Sequence, residues 1–341
     1  MSFFTSKPQI AALIDQCPAV DGAMQNQTAA RQASLTKPPG ALGQLEDIAI
    51  WMAGWQRQKT PSITHGQCLV FAGNHGVVAQ QISPLPAAVT AKMVDNAVNG
   101  GAAINQLCDV AGLKLAILPI DLDHPTADFT SGPAMDEQEV IAAMNKGAAA
   151  IDPACDYLVV GDIGIGNTTS AAALCLARFG ADAAGWVGPG AGLDDGGIAH
   201  KAKIIAAAIA TQGPVPQDPV SLLAAVGGRE LAAIAGAVLA ARVRSIPVML
   251  DGFVSTAAAA SLTAGPHLGI LDHCLLSHLS PEPGHLRLAV ALRKKPLVDL
   301  RMRLGEASGA AVATLLVHAA CRTHNGMATF AEAEQRPIEQ T

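Results

Sequence analysis

The chain contains few aromatic residues, no run of positive charge and no apolar run of membrane-spanning length. Aromatic residues make up only 3% of the 341 residues and hydrophobic residues 50%, which favours close helix–sheet packing over clusters anchored by aromatic side chains. The net charge of −6 and the lack of a Lys- or Arg-rich segment argue against a nucleic-acid partner. The longest apolar runs, such as residues 231–241, are far shorter than the ~18 residues of a membrane span.

Cysteine pairs and a secretory signal are also missing from the sequence. The seven cysteines are scattered and odd in number, and none forms a Cys-x-x-Cys pair, which favours reduced thiols over disulfides or zinc. Residues 1–10 lack the basic and apolar segments of a secretory signal. We therefore expect a cytoplasmic protein with no membrane partner, no metal and no other cofactor.

Short apolar runs recur along the chain, and helix-like segments lie between them. The runs cover residues 68–71, 115–118, 157–160, 247–250 and 270–276, and the main helical segments cover residues 87–108, 137–150, 198–210 and 229–243. This alternation is typical of βαβ units. The predicted fold class is α/β, a Rossmann-like parallel sheet with helices on both faces, plus a small helical domain.

The two ends of the chain are helical and lack strand patterns. We predict a large α/β domain over residues 61–285 and a small helical domain built from residues 1–60 and 286–341. Residues 211–219 are rich in proline and glutamine, and we expect a loop there.

Polar residues follow the predicted strands. In parallel sheets ligands bind beyond the carboxyl ends of the strands, so we expect these residues to meet in one pocket. They are Asn74, His75, Asp121, Asp162, Asp251, Ser277 and His278. Because no His-Glu-x-x-His or Cys/His cluster indicates a metal, we interpret His75, His278 and His285 as hydrogen-bonded loop histidines.

The glycine-rich segment at residues 161–169 is the most informative part of the sequence. It lies between the apolar run 157–160 and a helical segment, residues 170–179, that ends at Gly180. Glycines let the backbone approach a ligand, and a helix N-terminus offers free N–H groups and partial positive charge, so a phosphate is expected. The segment matches neither the P-loop nor the dinucleotide fingerprint. For Gly164 and Gly166 alone, a simple tight turn remains the favoured interpretation.

Seven segments in a characteristic order resolve this ambiguity. They cover residues 35–40 with 42–46, 71–77, 161–169, 188–192 with 200–201, 250–253, 277–285 and 303–309. Together they resemble the nicotinate-nucleotide–dimethylbenzimidazole phosphoribosyltransferase family of cobalamin synthesis over almost the whole chain. The resemblance implies a homodimer that transfers the 5-phosphoribosyl group of nicotinate mononucleotide to a benzimidazole nitrogen. It also implies inversion to the α-anomer, which gives α-ribazole 5′-phosphate and nicotinate.

The resemblance also implies roles for individual residues. Glu306 matches the general base of the family, and burial would raise the pKa of its carboxyl toward the working range of a base. Without the resemblance, Glu306 would be interpreted as an ordinary glutamate at a helix start. The residues expected around phosphate and ribose are Asp162, Gly164, Ile165, Gly166, Asn167, Lys201, Asp251, Gly252 and Ser280. Taken alone, Lys201 would be a solvated helix lysine and Asp251 a helix N-cap.

The expected base pocket departs from the family pattern. It comprises Ser83, Leu85, Pro86, Ala87 and Leu304. Leu85 and Ala87 stand where the family usually has an aromatic residue and an amide, while Asn74 replaces Asp and Asp162 replaces Glu. These departures leave open transfer to adenine or a phenol, and also a non-catalytic nucleotide-binding or partner-subunit homologue. A transferase that uses phosphoribosyl pyrophosphate is disfavoured, because residues 248–256 lack paired acidic residues.

Overall fold

The computed structural model describes residues 2–214, 217–263 and 268–334. Part of the predicted loop 211–219 and the last seven residues of the predicted C-terminal helical segment lie outside the described residues. Five strands form one parallel sheet in the order β2-β1-β3-β4-β5. They are β1 (Gly66–Ala72), β2 (Lys114–Pro119), β3 (Tyr157–Ile163), β4 (Val248–Leu250) and β5 (Cys274–Leu276). The α/β prediction is confirmed.

The two central strands are buried along their whole length. Every residue of β1 and β3 is buried, as expected for strands covered on both faces by helices. The predicted end of the third strand at residue 160 is wrong. Pairing with β1 continues to Phe71↔Asp162 and Ala72↔Ile163, so Gly161 and Asp162 belong to the strand rather than to the glycine loop.

Helices cover both faces of this sheet. The α-helices of the described residues are α1 (Lys7–Asp15), α2 (Gly22–Ser34), α3 (Gln44–Gln56), α4 (Val89–Val98), α5 (Ala103–Ala111), α6 (Glu137–Ala149), α7 (Asn167–Phe179), α8 (Asp195–Gln212), α9 (Pro219–Val226), α10 (Arg229–Val243), α11 (Phe253–Ala260), α12 (Pro283–Ala291), α13 (Ser308–Gly326) and α14 (Phe330–Glu334). Within the described ranges, none of these helices has the length and apolar character needed to cross a membrane.

The helix predictions differ in accuracy. The predicted bounds of α10, residues 229–243, agree with the structure. The predicted helix 87–108 is two helices, α4 and α5. The break falls at Gly100, whose φ is +82°, and glycine adopts this left-handed conformation without steric cost.

Side chains that alternate along the strands contribute to two hydrophobic cores, one on each face of the sheet. Leu69, Leu158 and Leu250 pack on one face against residues of α6, α7, α9, α10 and α11. Val70, Val159 and Met249 pack on the other face against residues of α3, α4, α5 and α13. This division follows from the two-residue period of a strand.

The terminal helices contact both cores. Helices α3 and α13 join the second core, whereas Phe4 and Ile10 at the start of the chain belong to the first. The backbone N–H of Phe4 also donates to Asn145 Oδ1 of α6 at 2.8 Å. The division into domains at residues 60 and 286 stays a prediction.

Candidate active site

A pocket lies at the carboxyl ends of β3, β4 and β5, where open parallel sheets bind ligands. Its wall is formed by Ile82, Ser83, Met93, residues 162–168, Gly190, Ala191, residues 251–254, His278, Ser280, Glu282 and residues 303–305. Ten of the fifteen residues proposed from the sequence line it: Ser83, Asp162, Gly164, Ile165, Gly166, Asn167, Asp251, Gly252, Ser280 and Leu304. Lys201, Glu306, Leu85, Pro86 and Ala87 do not.

The turn between β3 and α7 presents a helix N-terminus to the pocket. Gly166 is the N-cap of α7, and no side chain of the described chain caps the helix there. The Asn167 and Thr169 N–H groups donate to the Gly164 and Gly166 carbonyls at 3.4 and 2.9 Å. Among the first three N–H groups of α7, that of Thr168 makes no hydrogen bond within the described residues and is available to an anion. Gly166 has φ +93°, and a Cβ at this position would lie 2.8 Å from Val78 Cγ2. Both constraints require glycine.

Asp162 fixes the shape of this turn from the end of β3. Its Oδ2 accepts a hydrogen bond from Asn167 Nδ2 at 2.8 Å, and its Oδ1 accepts one from Ser255 Oγ at 3.1 Å. Burial, with repulsion from the buried Glu230 carboxyl, raises the pKa of Asp162 to about 7. The carboxyl group thus connects β3, α7 and α11 beneath the pocket.

Lys201 is buried directly behind the pocket wall. The residue is only 1% exposed, and its Nζ donates to Thr168 Oγ1 at 2.8 Å. Burial lowers the pKa of Lys201 to about 8, and attraction to Glu282 opposes this shift. Lys203, two residues along α8, is exposed. The interpretation of Lys201 as a solvated helix lysine is therefore wrong.

Asp251 follows β4 and is fully buried. Its Oδ2 accepts from the Ala307 N–H at 3.1 Å and its Oδ1 from the Ala310 N–H at 2.9 Å. Burial and then repulsion from Asp162 raise the pKa of Asp251 to about 8, while the N–H groups act in the opposite direction. Asp251 therefore caps α13, and not the helix that follows it in sequence, whose N-cap is Gly252.

Glu306 precedes α13 and adjoins the wall residue Gly305. It is only 6% exposed, and burial raises the pKa of its carboxyl, which is the expected direction. The N–H of Ile104, in the first turn of α5, opposes this shift. Oε2 of Glu306 is buried and has no hydrogen-bond partner within the described ranges. This oxygen can accept a proton from a ligand.

Only two of the five expected base-pocket residues line the pocket. Ser83 and Leu304 line the pocket, whereas Leu85 is 39% exposed and does not belong to the wall. Met93 of α4 supplies apolar wall area that the sequence analysis missed. Its only sequence signal was its place in the predicted helix 87–108.

Two charged wall residues were also missed. Arg303 lines the pocket and makes no hydrogen bond or ion pair with other described residues. Glu282 accepts from the Gly190 N–H at 2.8 Å through Oε1, and its buried Oε2 lacks a partner in the described part of the chain. Both lie in segments that carry the family resemblance, which was the available signal.

The three histidines are hydrogen-bonded, as predicted, but His285 lies in α12 and not in a loop. His75 contacts Glu230 Oε1 through Nε2 at 2.5 Å and Ser170 Oγ through Nδ1 at 2.9 Å. His278 Nδ1 contacts Ser277 Oγ at 3.0 Å, and His285 Nδ1 accepts from the Ser280 N–H at 3.0 Å. Among the described residues, no group of three or more His, Cys, Asp or Glu could hold a metal ion.

The expectation of one shared pocket is wrong for four of the seven polar residues. Asn74, His75, Asp121 and Ser277 do not line the pocket. His75 is buried between α7 and α10 through its contacts to Ser170 and Glu230, and Asp121 pairs with His124 at the surface. Distance does not explain His75, since a Cβ at Gly166 would lie 3.4 Å from His75 Cβ; its ring is instead held by Glu230 and Ser170. Ser277 is buried and donates to the Asp251 carbonyl.

An open parallel α/β sheet that presents a helix N-terminus to a pocket, with a buried lysine behind the pocket wall and a buried carboxyl group beside it, is typical of enzymes that handle phosphorylated ligands. Residues 17–334 match a family model described as phosphoribosyltransferase.

Named relatives specify the family further. The chain is 53% identical to the nicotinate-nucleotide–dimethylbenzimidazole phosphoribosyltransferase of Novosphingobium aromaticivorans, over 98% of each chain. It is 50% identical to the enzyme of that name from Rhodobacter capsulatus, over 95% of this chain and 96% of the relative. It also resembles the crystal structure of CobT from Thermus thermophilus, with a TM-score of 0.85, 39% identity, and coverage of 92% of this chain and 98% of that one. The chain belongs to the nicotinate-nucleotide–dimethylbenzimidazole phosphoribosyltransferase family.

Proposed function

We propose that this enzyme transfers the 5-phosphoribosyl group of nicotinate mononucleotide to dimethylbenzimidazole or a related base. The products are α-ribazole 5′-phosphate and nicotinate. The family supports this reaction, since relatives that match nearly the whole chain carry its name. The structural observation that carries the proposal is the buried, unpartnered Oε2 of Glu306, one residue from the wall of a pocket that also contains a helix N-terminus.

The phosphate binds at the N-terminus of α7. Among the described residues the helix has no side-chain cap, so the unpartnered Thr168 N–H can donate to a phosphate oxygen and the helix dipole adds partial positive charge. Lys201 adds positive charge from behind through its hydrogen bond to Thr168. The lysine ammonium is a compact positive charge. Its hydrogen bond to Thr168 polarises the first turn of the helix.

The reaction needs one base and no acid. The bond from ribose C1′ to the pyridinium nitrogen breaks, and its electron pair returns to that nitrogen, which neutralises the departing ring. The acceptor nitrogen forms the new bond to C1′ from the opposite face, which inverts the anomeric carbon. The proton on the other azole nitrogen passes to the Glu306 carboxylate, whose raised pKa brings it closer to neutral pH.

Arg303 binds the carboxylate of the nicotinyl ring. The donor carries two anionic groups, and the phosphate is assigned to α7. Arg303 lines the pocket and has no carboxylate partner within the described residues. A guanidinium can pair with a carboxylate through two parallel hydrogen bonds, so Arg303 would favour nicotinate over nicotinamide mononucleotide.

The pocket restricts the choice of acceptor base less than the choice of donor nucleotide. Leu85, at the position of the family's aromatic residue, is 39% exposed and does not line the pocket. The wall of the pocket includes Ser83, Met93 and Leu304 instead. Apolar contacts distinguish similar rings by only ~1–3 kcal/mol. This favours acceptance of adenine or a phenol as a second activity of the same site.

We further propose a cytoplasmic homodimer. Helix α12 exposes Leu286 and Val290, at 55% and 71%, one turn apart on one face, as in an interface between subunits. All seven cysteines are unpaired, which suits a reducing compartment. Light scattering after gel filtration should give twice the chain mass of 34.7 kDa, and a mass of one chain would contradict the dimer.

The test of function is an assay of the purified protein with nicotinate mononucleotide and dimethylbenzimidazole. We expect nicotinate and α-ribazole 5′-phosphate in equal amounts by chromatography, without added magnesium. A parallel screen with benzimidazole, adenine and phenol, with mass detection, identifies the preferred acceptor. Binding of nicotinate mononucleotide without any product at high enzyme concentration would support the non-catalytic homologue instead.

A further inference from the structure

The segment that carries Glu306 has an unusual backbone. Gly305, Glu306 and Ala307 are consecutive residues with φ of +84°, +59° and +67°. Glycine adopts this left-handed region freely, but Glu306 and Ala307 do so at a steric cost. Such a conformation persists only when the surrounding structure holds it in place. Neighbouring groups must therefore hold the backbone of residues 305–307 in this conformation.

Hydrogen bonds from two strand ends hold this segment. The Glu306 N–H donates to the Asp162 carbonyl at 3.0 Å. The Ala307 N–H donates to Asp251 Oδ2 at 3.1 Å, and the Ala310 N–H donates to Asp251 Oδ1 at 2.9 Å. Ala307 is the N-cap of α13 and has no side-chain oxygen, so the carboxylate that caps this helix comes from 56 residues earlier in the chain.

Close packing reinforces these bonds. A Cβ at Gly161 of β3 would lie 2.3 Å from the Ala307 nitrogen and 2.5 Å from its Cβ. The start of α13 thus rests directly on the backbone of β3. Any displacement of Ala307 toward β3 is blocked, and the two bonds to Asp251 resist displacement in other directions.

We propose that Asp251 is a positioning residue that sets the location of the Glu306 carboxyl. Its two carboxyl oxygens accept hydrogen bonds from the N–H groups of Ala307, the N-cap of α13, and of Ala310 in the first turn, and the residue is 0% exposed. It acts on the reaction through Glu306 and does not hold the ribose, the role that the family resemblance implied. This inference rests on the proposed function.

The first experiment is the substitution Asp251→Asn with steady-state kinetics for both substrates. The asparagine amide can accept only one of the two N–H groups and turns a donor toward the other. We expect kcat to fall ~10–100-fold, as for a base displaced by about 1 Å, with KM for nicotinate mononucleotide within about threefold. Ser277→Ala is the matched control. It removes the 2.8 Å hydrogen bond to the Asp251 carbonyl but leaves the carboxylate, so kcat should stay within about threefold.

A second substitution tests the mechanism by rescue. Ala307→Gly removes the steric cost of the left-handed conformation, so in the Asp251→Asn background it should recover part of the lost kcat. A purely structural role of Asp251 elsewhere in the core would not respond to this change. A rise in KM for nicotinate mononucleotide with unchanged kcat, and no rescue, would instead assign Asp251 to the ribose and overturn the proposal.

Hydrogen exchange of the unsubstituted protein keeps the proposal testable if the Asn variant does not fold. The N–H groups of Ala307 and Ala310 should exchange as slowly as the core of α13, without any substrate present. Fast exchange at these two positions would overturn the proposal. This measurement is independent of catalysis, so absence of transferase activity would count against the proposed function and not against the role of Asp251 as an anchor.

Discussion

Lys201 Nζ donates a 2.8 Å hydrogen bond to Oγ1 of Thr168, the second residue of α7. The ammonium group therefore lies behind the helix N-terminus and not in the pocket itself. Replacement by the uncharged Lys201→Met should raise KM for nicotinate mononucleotide by at least ~10-fold, because a charge-assisted contribution of about 1.5–3 kcal/mol is lost. The KM for the acceptor should change less than about threefold. Lys203→Met, at an exposed position, is the matched control, and comparable losses for both substrates would contradict this role.

The same lysine predicts a pH dependence of substrate binding. Burial lowers the pKa of Lys201 to about 8, so the free enzyme loses this charge as the pH rises through 8. The protonated form attracts phosphate, so KM for nicotinate mononucleotide should be constant below about pH 7 and increase above about pH 8. The Lys201→Met variant should lack this increase. An identical rise in the variant would assign the effect to another group.

Removal of the proposed base should affect turnover and not donor binding. Glu306→Gln keeps the size of the side chain but cannot take a proton, so we expect kcat to fall ~10²–10⁴-fold. The affinity for nicotinate mononucleotide, measured by calorimetry, should stay within about twofold. Because the pKa of Glu306 is raised, kcat of the unsubstituted enzyme should decline as the pH falls through a value above the usual glutamate range. Full activity of the Gln variant would remove Glu306 from this role.

The phosphate turn should not tolerate a side chain at Gly166. Gly166→Ala places a methyl group 2.8 Å from Val78 Cγ2 at a φ of +93°. We expect the free energy of unfolding to fall by about 2–4 kcal/mol and KM for nicotinate mononucleotide to rise. Gly112→Ala is the matched control, since Gly112 has φ +65° with nothing within 4 Å, and its cost should be only about 1 kcal/mol. Equal effects of the two substitutions would mean that the turn can rearrange.

Arg303 should determine the choice between nicotinate and nicotinamide mononucleotide. Arg303→Gln replaces the cation with a neutral amide, so the ratio of kcat/KM for the two donors should fall ~10–100-fold, in line with a lost charged hydrogen bond. Arg301→Gln alters an exposed arginine outside the pocket wall and should leave the ratio unchanged. A uniform loss with both donors would place Arg303 at the phosphate instead.

Local patterns in the sequence were sufficient for the α/β class, for most of the elements and for the position of the glycine turn before α7. Helix α10 was predicted with its correct bounds, since its apolar run is long and ends at clear boundaries. The glycine turn before α7 was located because a strand, a turn and a helix follow one another directly along the chain. The family resemblance added Glu306 and Lys201, which no local pattern distinguishes from ordinary surface residues.

Tertiary packing decided the properties of these two residues. Lys201 and Lys203 lie in the same helix, yet only Lys201 is buried, because its side chain meets Thr168 of α7, 33 residues earlier. Asp251 caps α13 and not its neighbouring helix, and β3 extends to Ile163 because β1 continues to pair with it. The sequence by itself determined most of the strands and helices and the glycine turn at the N-terminus of α7, since these depend on neighbouring residues. Only the tertiary structure decided which charges are buried and which carboxyl oxygen stays free, because burial and partners come from distant segments.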